Sequence, residues 1–309
     1  MGVDLEAHRV ELTGYCYRML GGPFEAEDAV QETFVRAWRT FDPGRGSLKG
    51  WLYSIATNVC LDMLRSVQRR ATAMDLTSPS AAGTPLGAPL PDATWVQPMP
   101  DARVLPADEV AVGRETVRLA FVAALQHLPP RQRAVLILRD VLCWQASEVA
   151  ELLSTTVASV NSALQRARAT LADRRPAPLQ PFDKALLERY TTAFERHDVE
   201  TLVALLHEDA TMTMPPFAWW LRGRADIAVA LSYEDSGCET ARLVPTWANG
   251  TPAFGQYRPD EDGAYRPFAL VLVEFSGSLM VGSTTYLGDH LFELFALPMI
   301  LSDPSRTSR

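Results

Sequence analysis

LPPRQRAVLILRDVLCWQASEVAELLSTTVASVNSALQRARATL, residues 128–171, reads as a helix-turn-helix whose second helix carries arginines late in its length. Pro129 and Pro130 suit a helix entry, and Val135, Leu136 and Leu138 supply the apolar series behind them. A second segment, Ser147 to Leu153, opens on a Ser147 start signal and buries Val149, Ala150, Leu152 and Leu153. Ser154, Thr155 and Thr156 then turn the chain. In the helix that follows, Val157, Val160, Leu164 and Ala167 recur at helical spacing, leaving Thr156, Ser159, Asn161, Ser162, Gln165, Arg166 and Arg168 outside the apolar stripe. A major-groove reader needs that order, with polar side chains near base edges and later arginines near phosphates. Two packed helices with a solvated polar face would show the same pattern, so both readings stand on the pattern alone.

The rest of the chain bounds that choice. Its 309 residues, 47% hydrophobic, can bury substantial cores and suffice for two or three domains. The formal net charge of −8 is acidic for a nucleic-acid binder. That acidity is uneven: residues 101–175 hold ten Lys and Arg against eight Asp and Glu, whereas residues 176–309 hold ten against eighteen. The helix-turn-helix region is therefore only slightly positive. Either a partner protein supplies much of its affinity for DNA or that affinity has weakened.

Cys16, Cys60, Cys143 and Cys238 form no CxxC pair and no Cys/His cluster, so no metal site is expected. Cys16 and Cys60 fall in apolar helical patterns and are expected as buried free thiols. No phosphate loop or nucleophile motif is present, and no cofactor is expected. There is no signal core and no apolar run long enough to span a bilayer, which makes a cytoplasmic location without a membrane partner the expectation.

Residues 1–72 are expected to be all helical. Leu12, Cys16, Met19 and Leu20 mark one helix, interrupted by Gly21–Pro23; Glu25–Phe41 forms the next, with Ala29, Val30, Phe34, Ala37 and Trp38 on its buried side. After a turn at Asp42–Ser47, Trp51, Ile55, Val59, Met63 and Val67 recur every four residues in a long helix. Its exposed residues include Asn58, Asp62, Arg65, Arg69 and Arg70. Residues 73–108, rich in Pro, Ala, Ser and Thr, read as a partly extended linker. Within it Trp95–Pro100 carries two large apolar groups that either dock on a neighbouring domain or sit in an exposed loop.

Residues 109–175 form the second helical domain, and a short proline-rich linker, 176–182, follows. In 183–309 the periodicity changes. Asp183–Leu206 is helical, residues 210–216 suggest a short strand, and Arg224–Leu231 another helix. Arg242–Ala248, Phe254–Tyr257, Phe268–Phe275 and Leu279–Tyr286 are strand candidates, and Asp289–Phe295 a last helix. Helices followed by a meandering sheet predict an α+β cone-like domain behind two all-α domains.

EAEDAVQETFVRAWRTF (residues 25–41), GSLKGWLYSIATNVCLDMLR (46–65) and the stretch 128–171 occur in the order and spacing of the extracytoplasmic-function group of bacterial RNA polymerase sigma factors, which this chain resembles. The resemblance implies a region 2-like helical domain and a region 4-like helix-turn-helix domain. It implies a promoter-specific transcription initiation factor that binds core RNA polymerase and promoter DNA. It carries Asp28, Gln31, Glu32 and Phe34 to the largest polymerase subunit, and Asn58, Asp62 and Arg65 to the melted −10 region. Thr156, Ser159, Ser162, Gln165, Arg166 and Arg168 are carried to the −35 element. The basic run common in the family is thinner here, in LRSVQRRA at 64–71, and Cys143 stands at a turn position where glycine is common.

Residues 186–224, 243–258 and 288–298 resemble the nuclear-transport-factor-2-like (SnoaL-like) domain fused to some members of that group. Such domains bind small apolar molecules or catalyse isomerisation, cyclisation and hydrolysis, and fold likeness does not choose among these. Phe217, Trp219, Trp220, Tyr233, Trp247, Tyr257, Tyr265 and Tyr286 are candidates for a pocket that holds a small hydrophobic ligand, and equally for an ordinary aromatic core. His207, Asp209, Glu274 and His290 are candidate acid/base groups. Two functions follow: a sigma factor regulated by its C-terminal domain, or a diverged sigma-like protein acting as a cyclase, isomerase or hydrolase through the aromatic pocket.

Overall fold

The computed structural model describes residues 4–40, 47–65, 69–106, 110–174, 176–233 and 240–301. Phe41, the turn residues Asp42–Gly46, Val67 and Cys238 lie outside the described residues. The chain divides into two compact units, one comprising Met1–Ala71 and Ala93–Ala177, the other Thr72–Asp92 and Pro178–Arg309. This division differs from the boundaries drawn on the sequence. The two helical segments fall in one unit, and the linker is shared between the units.

The helical unit begins with α1 (Arg9–Leu20), α2 (Pro23–Thr40) and α3 (Leu48–Met63). α1 stops at Gly21, whose φ of +72° only glycine adopts without strain and whose N–H donates to the Tyr17 carbonyl at 2.8 Å. Pro23 then opens α2, where a missing N–H costs nothing. The short α4 (Ala73–Leu76) belongs to the second unit, and the helical unit resumes with α5 (Asp101–Val104), α6 (Val110–Val117) and α7 (Leu119–Leu125). It closes with α8 (Pro130–Leu136), α9 (Ala146–Leu152) and α10 (Val157–Leu171). A π-helical turn, Ile137–Val141, extends α8. The start of α9 is set by Gln145 rather than by Ser147: the Glu148 carboxylate accepts the Gln145 N–H at 2.6 Å.

One apolar cluster runs through residues 12 to 171 and takes in the linker side chains Val96 and Met99. Trp95, Val96 and Met99 are each 2% exposed or less, so this part of the linker docks in the helical unit. Burying each large side chain is worth about 1.5–3 kcal/mol. Arg133 crosses the core and is 3% exposed. Its guanidinium donates to the carbonyls of Met19, Gln126 and Leu128 and to Gln126 Oε1. Burial lowers its pKa to about 10, which still leaves it charged at neutral pH.

Two expectations for this unit are corrected. Trp38 is 78% exposed instead of buried. Arg70 is 4% exposed instead of solvated, because its guanidinium pairs with Glu25 and donates to the Trp95 carbonyl at 2.6 Å.

In the second unit, α11 (Lys184–Glu195) and α12 (Val199–Leu205) start on aspartate caps: Asp183 accepts from the Ala185 N–H and Asp198 from the Thr201 N–H, both at 3.0 Å. β1 (Leu206–Thr213), β2 (Trp220–Arg222), α13 (Arg224–Leu231), β3 (Arg242–Ala248), β4 (Thr251–Pro259), β5 (Tyr265–Ser276) and β6 (Leu279–Leu287) follow. The six-stranded sheet has the order β2-β1-β6-β5-β4-β3 and is antiparallel except where β1 meets β6. Residues 251–257 of β4 are all buried, as a strand covered on both faces must be. α11 covers one face through Tyr190, whose ring lies 5.6 Å from that of Phe254. Leu291, Phe292, Leu294, Phe295 and Leu297 are buried too, with Phe292 edge-on to Tyr257 at 5.2 Å. This segment, expected as a helix, is a series of turns between Gly288 (φ +100°) and Ala296 (φ +51°). Gly255 makes room for it, since a Cβ there would stand 2.9 Å from Leu297.

Replacing Arg133 with Met is expected to destabilise the helical unit by about 3 kcal/mol or more, at ~1–3 kcal/mol for each buried carbonyl left without a donor. A lower urea midpoint for the helical CD signal checks it. Cys143 has φ +58° and is exposed. Cys143→Gly is therefore expected to raise the same midpoint by about 0.5–1 kcal/mol, relief of left-handed strain exceeding the entropy cost of glycine.

Candidate functional site

Two surfaces of the helical unit and one cavity of the second unit hold the chemistry. On α10, Val160, Leu164, Ala167 and Leu171 are buried, and Ser159, Asn161, Ser162, Gln165, Arg166 and Arg168 are all exposed. Thr156 is the N-cap: its Oγ1 accepts the Ser159 N–H at 3.1 Å and lies 2.9 Å from Ser159 Oγ. Ser162, Gln165 and Arg166 thus present their polar groups outward one turn further along. Arg168 is already engaged. Its guanidinium makes a two-pronged ion pair with Asp140 of the π-helical turn, at 2.9 and 2.7 Å, and this hydrogen bonding raises its pKa. Asn58 and Asp62 are exposed on α3 and Arg65 just beyond its end, where it pairs with Asp62 at 3.0 Å.

On α2, Asp28, Gln31 and Glu32 are exposed, and Glu32 pairs with Arg36 at 2.7 Å. Phe34 differs from its three companions. It is 7% exposed, belongs to the core, and carries the Arg9 guanidinium 4.9 Å above its ring. The aromatic that this surface presents is Trp38, beside Gln31, Val35 and Arg39.

The second unit encloses a cavity of about 960 Å³ between α11, α12, α13 and the inner face of the sheet. Tyr190, Phe194 and Leu202 form its helical side, Met212, Val271, Met280 and Leu287 its floor. Residues 83–86, from the chain that joins the two parts of the helical unit, complete the wall. This strap is fastened by backbone and indole hydrogen bonds: Ser80 N–H to the Trp220 carbonyl (2.7 Å), Trp219 Nε1 to the Thr84 carbonyl (3.1 Å), Trp220 Nε1 to the Thr77 carbonyl (3.0 Å) and Leu90 N–H to the Pro216 carbonyl (2.8 Å).

Of the eight aromatic candidates the cavity gathers two, Trp219 and Tyr233. Phe217 packs against the apolar core, and Trp220 is buried against the strap. Tyr257 and Tyr286 are buried away from the cavity; the Tyr257 hydroxyl donates to the Pro298 carbonyl at 2.8 Å, and burial pushes its pKa up to about 12. Trp247 is 39% exposed on β3, and Tyr265 lies under the Arg242 guanidinium at 5.5 Å.

None of the four acid/base candidates lines the cavity either. His207 Nδ1 accepts the Asp209 N–H at 3.1 Å, Asp209 stands 3.8 Å from Arg222, Glu274 is half-buried and His290 is exposed. The described lining holds no Asp, Glu, His, Cys or Lys; its titratable side chains are Tyr190, Tyr233 and Arg258. Nor do the described residues hold a cluster of three His, Cys, Asp or Glu suited to a metal ion. No helix among them is long and apolar enough to cross a membrane.

What the sequence reading missed are the polar lining residues Gln256, Arg258, Ser283 and Thr285. Their signal was the two-residue period: Phe254, Gln256 and Arg258 share one face of β4, and Ser283, Thr285 and Leu287 one face of β6.

Comparison with known proteins matches three segments in order along the chain. Residues 5–70 match the family model for Sigma-70 region 2, residues 118–171 that for Sigma-70, region 4, and residues 187–263 that for the SnoaL-like domain. The chain is 41% identical over 306 residues to the ECF RNA polymerase sigma factor SigG of Mycobacterium tuberculosis (strain ATCC 25618 / H37Rv), covering 95% of this chain and 82% of that protein. It is 31% identical over 215 residues to SigJ of the same strain, covering 68% of this chain and 63% of that one. The crystal structure of the M. tuberculosis extracytoplasmic function sigma factor SigJ shares the fold, with a TM-score of 0.60 at 23% identity over 96% of this chain and 99% of that one.

Proposed function

The chain belongs to the family of extracytoplasmic-function RNA polymerase sigma factors, and from that premise we propose that it binds core polymerase through the outer face of α2, reads promoter DNA through α3 and α10, and answers to a ligand held by its C-terminal unit. Its place of action is then the cytoplasm, beside the polymerase. The observation that carries this reading is the open polar face of α10, with Ser162, Gln165 and Arg166 exposed over a buried apolar stripe inside a region 4 match. Polar groups early in such a helix reach base edges, and a late arginine reaches phosphate.

On α2 the exposed Asp28, Glu32 and Trp38 suit a basic partner surface with an apolar recess: the charges guide encounter and a desolvated tryptophan anchors it. The slight basicity of the DNA-reading segment fits a factor that acts from within a larger complex, since the polymerase supplies the remaining phosphate contacts.

The test is binding to core polymerase and promoter-dependent transcription, for the full chain and for a form ending at Ala177, whose carbonyl is held by Arg118 at 2.7 Å. No polymerase binding by either form, where SigG from M. tuberculosis binds, overturns the proposal. Trp38→Ala is expected to weaken polymerase binding by at least about tenfold, as loss of an interface anchor does, with the melting temperature unchanged because the side chain is solvated in the free protein. Asp140→Asn frees Arg168 for phosphate. Promoter binding is expected to tighten and its salt dependence to steepen by about one phosphate contact, whereas Arg166→Ala makes it shallower by about the same amount.

A further inference from the structure

The polar side chains of α10 are not equally free to read a base. Thr156 and Ser159 are joined in the cap at the start of the helix, Thr170 Oγ1 donates to the Arg166 carbonyl at 3.1 Å, and Arg168 is held by Asp140. Asn161, Ser162, Gln165 and Arg166 are exposed, and none of their side chains hydrogen-bonds to another described residue. A contact with DNA made by any of these four breaks no bond within the protein.

Direction divides the four. At about 100° per residue, Ser162 lies within about 10° of the line opposite the buried stripe of Val160, Leu164, Ala167 and Leu171. Gln165 and Arg166 lie about 50° to either side of that line, and Asn161 about 90° from it. A helix seated in the major groove turns the line toward the floor, so Ser162, Gln165 and Arg166 face the base pairs and Asn161 faces a wall.

Chemistry divides the remaining three. A serine hydroxyl both donates and accepts, and serves any base edge. The Arg166 guanidinium is the phosphate contact assigned above. A glutamine amide is different, because it carries an acceptor and a donor side by side in one plane. In the major groove adenine sets a donor, its N6 amino group, next to an acceptor, N7. Guanine offers two acceptors, cytosine a donor, and thymine an acceptor beside a methyl group. The amide therefore makes a pair of hydrogen bonds with adenine and not with the other three bases.

We infer that Gln165 is a specificity-determining residue that reads one A·T pair of the promoter element met by α10, its Oε1 accepting from adenine N6 and its Nε2 donating to adenine N7. Ser162 precedes it by about 4.5 Å along the axis and carries a short side chain, which leaves the base edge open to the longer glutamine. The assignment deepens the reading of α10 as a promoter-contacting helix and rests on it.

The test uses the full chain bound to core polymerase and duplex DNA randomised over the upstream promoter element, with the bound sequences read out. One position is expected to be enriched in adenine by about tenfold, within the range that a two-bond contact discriminates. Gln165→Ala is expected to level that position and to leave the rest of the selected sequence as it was. Gln165→Glu is expected to turn the preference to cytosine, from whose N4 amino group a carboxylate accepts. 7-Deazaadenine at the same position lacks the N7 acceptor; it is expected to weaken binding of the parent about fivefold and that of Gln165→Ala not at all. Because the side chain is exposed, the variants are expected to melt with the parent.

A selected sequence that Gln165→Ala leaves unchanged overturns the assignment while α10 remains a reader of DNA. So does a parent preference for guanine, cytosine or thymine at the position that the variant levels, or an adenine preference lost in Arg166→Ala and kept in Gln165→Ala. A melting temperature lowered by several degrees in Gln165→Ala would show that the side chain serves the fold. No preferred sequence at all, from a complex that does hold polymerase, overturns both the assignment and the reading of α10 beneath it.

Discussion

The helical unit turns on how one of its buried arginines, Arg133, is satisfied. No carboxylate among the described residues pairs with it; its partners are carbonyls, and they come from two helix ends. Met19 lies in the last turn of α1, while Gln126 and Leu128 follow α7. These carbonyls have no intrahelical donors, and the partial negative charge of both helix termini converges on them. Taking a guanidinium out of water is tolerable only when its donors are matched, and matching them requires α1 and α7 to end at the same place. Gln126 reinforces the junction by donating to the Arg18 and Val122 carbonyls at 3.4 and 3.0 Å. The junction thus joins two segments more than a hundred residues apart in sequence.

A second seam in the same unit joins α3 to the region 4 segment. The inner side of α3 is occupied by the region 4 segment: Tyr53 lies 5.0 Å from Trp144 ring to ring, and Ser54 Oγ donates to the Leu152 carbonyl at 3.4 Å. The outer residues of α3 and the polar face of α10 remain exposed. The aromatic contact and the hydrogen bond hold α3 against the region 4 segment within one unit.

Much of the fold was legible because its signals are local. Gly21, the proline pairs and Thr156 mark helix ends, and the strand runs Arg242–Ala248 and Leu279–Tyr286 show themselves by residue type. Positions at the edge of a periodic stripe were not legible. Ala26, Val30, Thr33 and Ala37 point within about 30° of one direction on α2, whereas Trp38 lies roughly 110° from it, and hydrophobicity alone misplaced it. Arg70 misled for the opposite reason: a charge reads as solvated unless its partner, Glu25, is known to be near. The cavity was hidden in the same way. Aromatic residues dominate a sequence scan, yet most of the candidates lie elsewhere, and only the register of β4, β5 and β6 brings Gln256, Arg258, Ser283 and Thr285 to one chamber.

The linker shows how order can come from partners and leave no trace in composition. Residues 72–92 carry few large apolar groups, so an isolated strap could not offset the entropy of fixing its backbone. Its ends are closed where Ala71 meets Trp95, with the Ala71 N–H on the Thr94 carbonyl at 2.8 Å and the Val96 N–H on the Ala71 carbonyl at 3.1 Å. Its tip is held by backbone groups of residues 216–220 and by two indoles. Each of these hydrogen bonds is worth about 0.5–1.5 kcal/mol net, and the indoles of Trp219 and Trp220, each 7% exposed, add the burial of two large apolar side chains beside it.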